Sequence, residues 1–442
     1  MQSNRKSRYL LVRVNYDSRV ANVEPLGLEY LAAVIKAEGE ERVFHDEALH
    51  SRFFRTSRIM NIIEKHQIDF VCFTVMSYRG QYILDLISRI KRRFPQVKIL
   101  VGGPEVTINP RDFMLPDIDY ISYDHGLESF QFGVSCGFDA DKLAQSPQAT
   151  GIAFKKDGQW IEKERRYHVL PDRSLYYENR RRYRIIAKGS FSVMKTAFSC
   201  PQKCNFCISR QFNGGVYSER MTDEVIDEIM GIDNDKIWII DDDFLVGRER
   251  VVEICNKLIE KGCRKTFMVF ARADSVVKCK DILPLLYKAG FRDMLVGLEA
   301  VDDSYLEQYN KNSSVAMNVE AIRLLREHNM LCNGLFVVSN NFTQKDFNKI
   351  HSFIKKQGLV WVLFGMLIPF KGTALYEKNK DKLNKYTYHR TDGTHALLPP
   401  QNMSKLRYYI NFHLLYYINY PRLYFTALTG KYKRYLNDGT GQ

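Results

Sequence analysis

Residues 192–210 read SVMKTAFSCPQKCNFCISR and hold three of the chain's nine cysteines. An apolar run over 191–198 delivers the chain into Cys200, Cys204 and Cys207, spaced C-x3-C-x2-C, with Phe206 just before the last. Three thiolates on one short loop can hold three irons of a [4Fe-4S] cluster and leave the fourth iron without a protein ligand. A structural zinc site is the alternative. Closed zinc sites take four ligands, usually as two separated pairs, and no second Cys or His pair is suitably placed here. Cys72, Cys136, Cys255, Cys263, Cys279 and Cys332 lie mostly in apolar segments and read as plain buried residues.

Downstream, apolar runs at 193–198, 236–240, 266–270, 294–298, 333–338 and 361–368 alternate with helical patterns such as 247–261, 315–328 and 344–356. Six strand-helix units predict a partial (β/α)6 barrel of the TIM type over 191–380, with functional groups at the carboxyl ends of its strands. Asp241-Asp242-Asp243 follows the second run. Adjacent carboxylates there repel and lose solvation unless a cation is near, although capping of the next helix would also explain at least one of them. Arg272 follows the third run and suits either a ligand carboxylate or a barrel acid. Glu299 ends the fourth in Gly297-Leu298-Glu299, as a ligand contact or a structural salt bridge.

Upstream, runs at 8–14, 69–75, 97–101 and 119–122, with a weaker one at 42–46, alternate with amphipathic segments near 27–38, 56–66, 80–94 and 126–134. This predicts a Rossmann-like, doubly wound α/β domain over 1–150, with ligands beyond the carboxyl ends of its strands. The segment from Thr74 to Ser77 offers hydroxyls at that rim, and Gly102-Gly103-Pro104 either admits a ligand close to the backbone or forms only a tight turn.

Pro25-Leu26-Gly27-Leu28-Glu29-Tyr30-Leu31, the VGGP ending at Pro104, Asp119-Tyr120 before Gly126-Leu127-Glu128, the cysteine motif with Phe206, Gly297-Leu298-Glu299 and Ile368-Pro369-Phe370-Lys371-Gly372-Thr373-Ala374-Leu375-Tyr376 stand in one order. That order, over about residues 8–430, resembles the B12 (cobalamin)-binding-domain-containing radical S-adenosylmethionine (SAM) enzymes. The resemblance implies a [4Fe-4S] cluster on Cys200, Cys204 and Cys207, with SAM chelating the open iron. It implies SAM contacts among Phe206, Asp241, Asp242, Asp243, Arg272 and Glu299, and cobalamin contacts among Thr74, Ser77, Gly102, Gly103, Pro104 and Gly126. Two departures bear on cobalamin. Asp46-Glu47-Ala48-Leu49-His50 does not match the Asp-x-His-x-x-Gly motif that supplies a lower axial histidine, which many members of this branch also lack. Asp124-His125-Gly126 stands in place of the usual Gly-Glu-Gly-Glu turn. Lys371 likewise replaces a usual proline, and Val337-Val338-Ser339-Asn340-Asn341 a glycine-proline loop.

The implied reaction is methylation of an unactivated carbon by way of a 5'-deoxyadenosyl radical and methylcobalamin. Ring formation, oxidation or rearrangement by the same parts is the first alternative, and a non-catalytic metal-binding protein docking to membrane or RNA the second. The substrate is expected to be a small molecule, lipid or peptide, and the electron donor an external flavodoxin or ferredoxin.

The net charge of +14 suggests nucleic acid, but its placement does not. Residues 1–150 balance about 19 positive against about 19 negative charges, while about eleven of the excess positives fall in 151–190 and 401–442. Residues 151–190 therefore read as a basic connector with Arg180, Arg181, Arg182 and Arg184 in solvent. Residues 381–442 read as a helical C-terminal segment. Between Met403 and Leu436 it carries ten aromatics, six basic residues and no acid, suiting either a cap on the barrel or a membrane-surface contact. With no membrane-length apolar run and no secretory leader, the chain is expected in the cytoplasm.

Overall fold

Strand β1 (Arg8–Arg13) alternates: Tyr9 and Leu11 join one apolar cluster, Leu10 and Val12 another. Burial on both faces is the signature of a strand inside a covered parallel sheet. The computed structural model describes residues 5–14, 24–49, 55–76, 80–123, 127–147, 149, 151–163, 171–185, 188–211, 217–383 and 391–428. They fall into two compact units, 1–185 and 186–442.

In the first unit β1 lies between β2 (Glu41–Asp46) and β3 (Phe70–Thr74), followed by β4 (Lys98–Gly102) and β5 (Tyr120–Ser122), all parallel. Helices Arg55–His66 and Gly80–Arg93 cover one face through Ile59, Ile63, Ile83 and Ile87. Helices Leu26–Ala37 and Leu127–Ser135 cover the other through Leu28, Ile35 and Phe130. The order 2-1-3-4-5 reverses between β1 and β3, which makes that point the expected ligand crevice. The segments following those two strands, 15–23 and 77–79, lie outside the described residues.

The connector expected over 151–190 is corrected. β6 (Ile152–Lys156) and β7 (Gln159–Glu162) form a hairpin that extends the same sheet antiparallel from β5. Asp157 and Gly158 both take positive φ, 51° and 77°, as a two-residue hairpin turn requires, so Asp-Gly between two short runs was the legible signal. The chain then returns to the β1–β2 side. The Asp172 N–H donates to the Glu29 carbonyl at 3.0 Å, and Arg42 donates to Asp172 at 2.7 Å. Arg180, Arg181, Arg182 and Arg184 are exposed, while Tyr183 between them is buried.

The second unit holds six parallel strands in the order β8 (Ser192–Met194), β11 (Lys236–Ile239), β12 (Thr266–Arg272), β13 (Phe291–Glu299), β14 (Leu331–Val338) and β15 (Val362–Met366). The short β9 (Ala197–Phe198) leaves this sheet and pairs antiparallel with β10 (Ser218–Glu219). One core joins the outward residues of the strands to the surrounding helices. Toward the amino ends, buried Lys188 meets Asp293, Asn333 Oδ1 at 3.2 Å and the Trp361 ring at 4.4 Å. Burial lowers its pKa, and the Asp293 charge opposes that.

Helix Lys405–Leu428 supplies Tyr408, Phe412 and Leu415 to the same core. The Phe364 N–H donates to the Tyr416 hydroxyl at 3.1 Å, and that hydroxyl donates to the Phe364 carbonyl. The tail's aromatic stripe thus caps the barrel. Among the described residues no helix is long and apolar enough to cross a membrane.

Candidate active site

Parallel neighbours β8 and β11 end side by side, so an acid just past β11 can reach the amides leaving β8. Asp241 does this. Its carboxylate accepts from the N–H of Thr196 at 2.6 Å, from that of Ala197 at 3.1 Å and from the Thr196 hydroxyl. Arg250 stands 3.6 Å from it and donates to the Thr196 hydroxyl at 2.8 Å. Burial holds the Asp241 pKa above its ordinary value against the pull of Arg250 and the Thr196 and Ala197 donors. With 1% exposure, this carboxylate fixes the strand exit that leads to the cysteines.

The other two acids of the triplet diverge from it. Asp243 accepts from Ser275 Oγ at 2.6 Å and from the Leu245 N–H at 3.3 Å, and burial pushes its pKa up to about 6. Asp242 Oδ2 is buried without a hydrogen-bond donor among the described residues, and Lys195 Nζ stands 3.7 Å away.

One cysteine sulfur has a side-chain donor among the described residues: Arg272 Nη1 stands 3.3 Å from Cys204 Sγ. Such a donor stabilises thiolate character and suits metal-bound sulfur. Burial raises the metal-free thiols, Cys200 to about 12, so metal loading releases protons.

Two distant segments hold this loop. The Asn205 N–H donates to the Tyr309 carbonyl at 3.1 Å, and Asn310 Nδ2 to the Lys203 carbonyl at 2.8 Å. From the Gly372-Thr373-Ala374-Leu375 element, the Leu375 N–H donates to the Asn205 carbonyl at 3.0 Å, while Gln211 donates to the Gly372 carbonyl. Phe206 packs edge-on to Tyr309, with ring centroids 5.3 Å apart, beside Ala300, Leu306 and Leu367. Its place in the motif is accounted for by this anchoring.

Arg272 donates from Nε to Asp274 at 2.8 Å and from Nη2 to the Lys311 carbonyl, so it pairs a barrel acid and a cysteine sulfur. Glu299 forms a salt bridge of 2.7 Å with Lys311, which is 4% exposed. A Cβ on Gly297 would lie 2.6 Å from the Glu299 carboxylate and 2.9 Å from Lys311 Nζ, which explains a glycine two residues before the acid. Thr196, Arg250, Lys311 and the 308–310 segment were not picked out from the sequence. Asn310 and Asn312, both near φ 50°, were the available sign of a sharply turned segment.

In the first unit, Thr74, Gly102 and Gly103 come together where β3 and β4 end. Gly103 has φ +99°, and a Cβ there would meet Thr74 Oγ1 at 2.7 Å and the Val75 nitrogen at 2.9 Å. Pro104 opens the short helix Pro104–Ile108. Ser77 and Gly126 lie outside the described residues. Asp46, first in the segment that fails the histidine motif, is paired with Arg13 and accepts from the Tyr183 hydroxyl at 2.9 Å.

Residues 12–131 match the family model of the B12 binding domain, and residues 194–354 that of the radical SAM superfamily. The chain is 24% identical over 402 residues to the hopanoid C-3 methylase of Methylococcus capsulatus, covering 87% of this chain and 74% of that protein. It is 23% identical over 420 residues to the anaerobic magnesium-protoporphyrin IX monomethyl ester cyclase of Cereibacter sphaeroides, covering 90% and 68%. The radical SAM methyltransferase TsrM from Kitasatospora setae, solved with cobalamin and a [4Fe-4S] cluster bound, has the same fold. Its TM-score is 0.65 over 84% of this chain and 77% of that one, at 16% identity.

Proposed function

Because the chain belongs to the radical SAM enzymes that carry a B12-binding domain, we propose that it is a cobalamin-dependent methyltransferase acting on an unactivated carbon of a small molecule. The observation that carries the reading is the cysteine loop, which the 308–310 segment and Leu375 hold beside the carboxyl ends of a half barrel, with Arg272 on the Cys204 sulfur. When bound, the cluster, SAM and cobalamin supply the one-electron cleavage, the hydrogen abstraction and the methyl carrier.

The chain's part is to hold and orient. Cys200, Cys204 and Cys207 ligate the cluster. Asp241 and the Gln308–Asn310 segment keep their loop in place. Asp242, alone of its triplet in having a buried oxygen without a donor, takes a cationic group of SAM. Gly102 and Gly103, beside Thr74, form the backbone edge offered to the corrin. An external flavodoxin or ferredoxin supplies the electron.

Protein purified without oxygen should show iron-sulfur absorbance, lose it on Cys200→Ala or Cys204→Ala, and release 5'-deoxyadenosine when reduced with SAM. Failure of all three after reconstitution would sink the enzyme reading. Extractable cobalamin together with S-adenosylhomocysteine formation supports methyl transfer. The cyclase relative motivates a second reading, ring formation, and deoxyadenosine without S-adenosylhomocysteine would favour it.

For the finer partner, the tail helix supports contact with an anionic membrane surface. Leu406, Ile410, Leu414, Tyr417 and Ile418 are exposed along one stripe beside Lys405 and Arg407, in a segment without acids. Glutamates at Leu406 and Ile410 should abolish binding to phosphatidylglycerol vesicles. Equal binding by this variant, or equal binding to neutral vesicles, removes this reading.

A further inference from the structure

The donor that the described residues place on a sulfur of the motif is a cation, Arg272. That cation is 5% exposed and cannot readily turn away. The Arg272 guanidinium is fixed on one side by Asp274 at 2.8 Å and on another by the Lys311 carbonyl, which leaves Nη1 aimed at Cys204 Sγ at 3.3 Å. Lys311 is itself held by Glu299 at 2.7 Å, so the strand-end acid of β13 braces the arginine through one intervening residue. Arg272 is therefore spoken for in every direction, and it faces a cluster ligand.

From this geometry we propose that Arg272 is a positioning residue that sets the reduction potential of the cluster through Cys204. The inference rests on the iron-sulfur reading above. One-electron reduction takes a [4Fe-4S] cluster from 2+ to 1+, with the electron supplied by the reductant and no bond made or broken in the protein. The negative charge on the cluster and its thiolates grows in that step. A charge-assisted N–H···S contact stabilises the more negative state, and the low dielectric of a buried site enlarges the effect. Asp274 offsets the arginine's charge, but it binds Nε and not the nitrogen that meets the sulfur, so the positive end of the pair is turned to the cluster.

The test is a dithionite titration of the reconstituted full-length protein, followed by electron paramagnetic resonance of the reduced cluster. Three proteins are compared: wild type, Arg272→Lys, and the double variant Arg272→Gln with Asp274→Asn, which removes the pair without stranding a buried acid. The midpoint should move to more negative potential in the double variant and less so in the lysine variant. A full complement of iron with an unmoved midpoint overturns the proposal. Should the variants not fold, wild-type protein with 15N-labelled arginine decides it. Pulsed resonance of the reduced cluster should detect a 15N coupling, and its absence overturns the proposal. A wild type that assembles no cluster at all brings down the iron-sulfur reading and this inference with it, whereas a cluster without arginine coupling sinks only the role of Arg272.

Discussion

Both units are built on runs of parallel strands with polar residues gathered at their carboxyl ends, yet they use those residues differently. In the first unit Asp46 pairs with Arg13 and Tyr183, and Glu24 pairs with Arg173 beside Glu29. The returning segment 172–183 supplies Arg173 and Tyr183, and β1 supplies Arg13, so these acids tie the domain to its own chain. In the second unit Asp241, Arg272 and the carbonyls of 308–309 hold a loop that carries three thiols. Burial of charge closes a fold in one case and places chemistry in the other.

Asp241→Ala tests the second half of that contrast most severely. It leaves two buried amides without their acceptor and removes one of the two acids facing Arg250, which keeps Glu219 at 3.3 Å, and breaking a buried pair costs about 3–5 kcal/mol. Denaturant unfolding and iron content should both fall; if iron retention is unchanged, the acid does not govern the loop. Gly103→Ala should cost about 1–3 kcal/mol, because the new Cβ meets backbone at positive φ. Gly297→Ala should cost less, since the atoms it meets are the ends of two long side chains. Urea midpoints of the two variants check that order.

Glu29 sharpens the first half. Burial and the neighbouring Glu24 raise its pKa to about 11, so the folded state keeps a proton that the unfolded chain loses above about pH 4.5. Its contribution is complete below that value and declines as pH rises toward 11. Glu29→Gln should therefore change unfolding little at pH 5 and flatten the decline between pH 6 and 9. A parallel decline in both proteins would show that Glu29 is ionised. The smallest effect belongs to Asp302, held near pKa 2 by Lys349 and Ser304. Its stabilisation is present above pH 4 and lost as pH falls toward 2. Being partly exposed, it should account for no more than about 1 kcal/mol. Asp302→Asn and wild type should differ at pH 7 and converge at pH 2.

Strands β1 to β5 and the six barrel strands were legible because burial imposes a short period on local sequence. The cysteine loop was legible because its ligand spacing is local too. The β6–β7 hairpin was signalled by Asp157-Gly158 but masked by the basic residues after it. The partners of Asp241 and Arg272 were not legible: Thr196 lies 45 residues from the one, and Cys204 lies 68 from the other. Only the closing of the barrel brings such pairs together. Three consecutive aspartates look alike in a sequence, and their roles separate only when each strand end acquires neighbours.

The hydroxyl of Tyr416 both receives from and gives to the main chain of Phe364 in β15, the outermost strand of the open barrel. In doing so it imitates one rung of a seventh strand. A sheet edge with free rungs recruits other chains, and the tail helix occupies one such rung. Shortening the protein before residue 405, a natural step toward crystals or toward isolating the catalytic core, should yield fibrous or insoluble material even though every cysteine and every strand is retained.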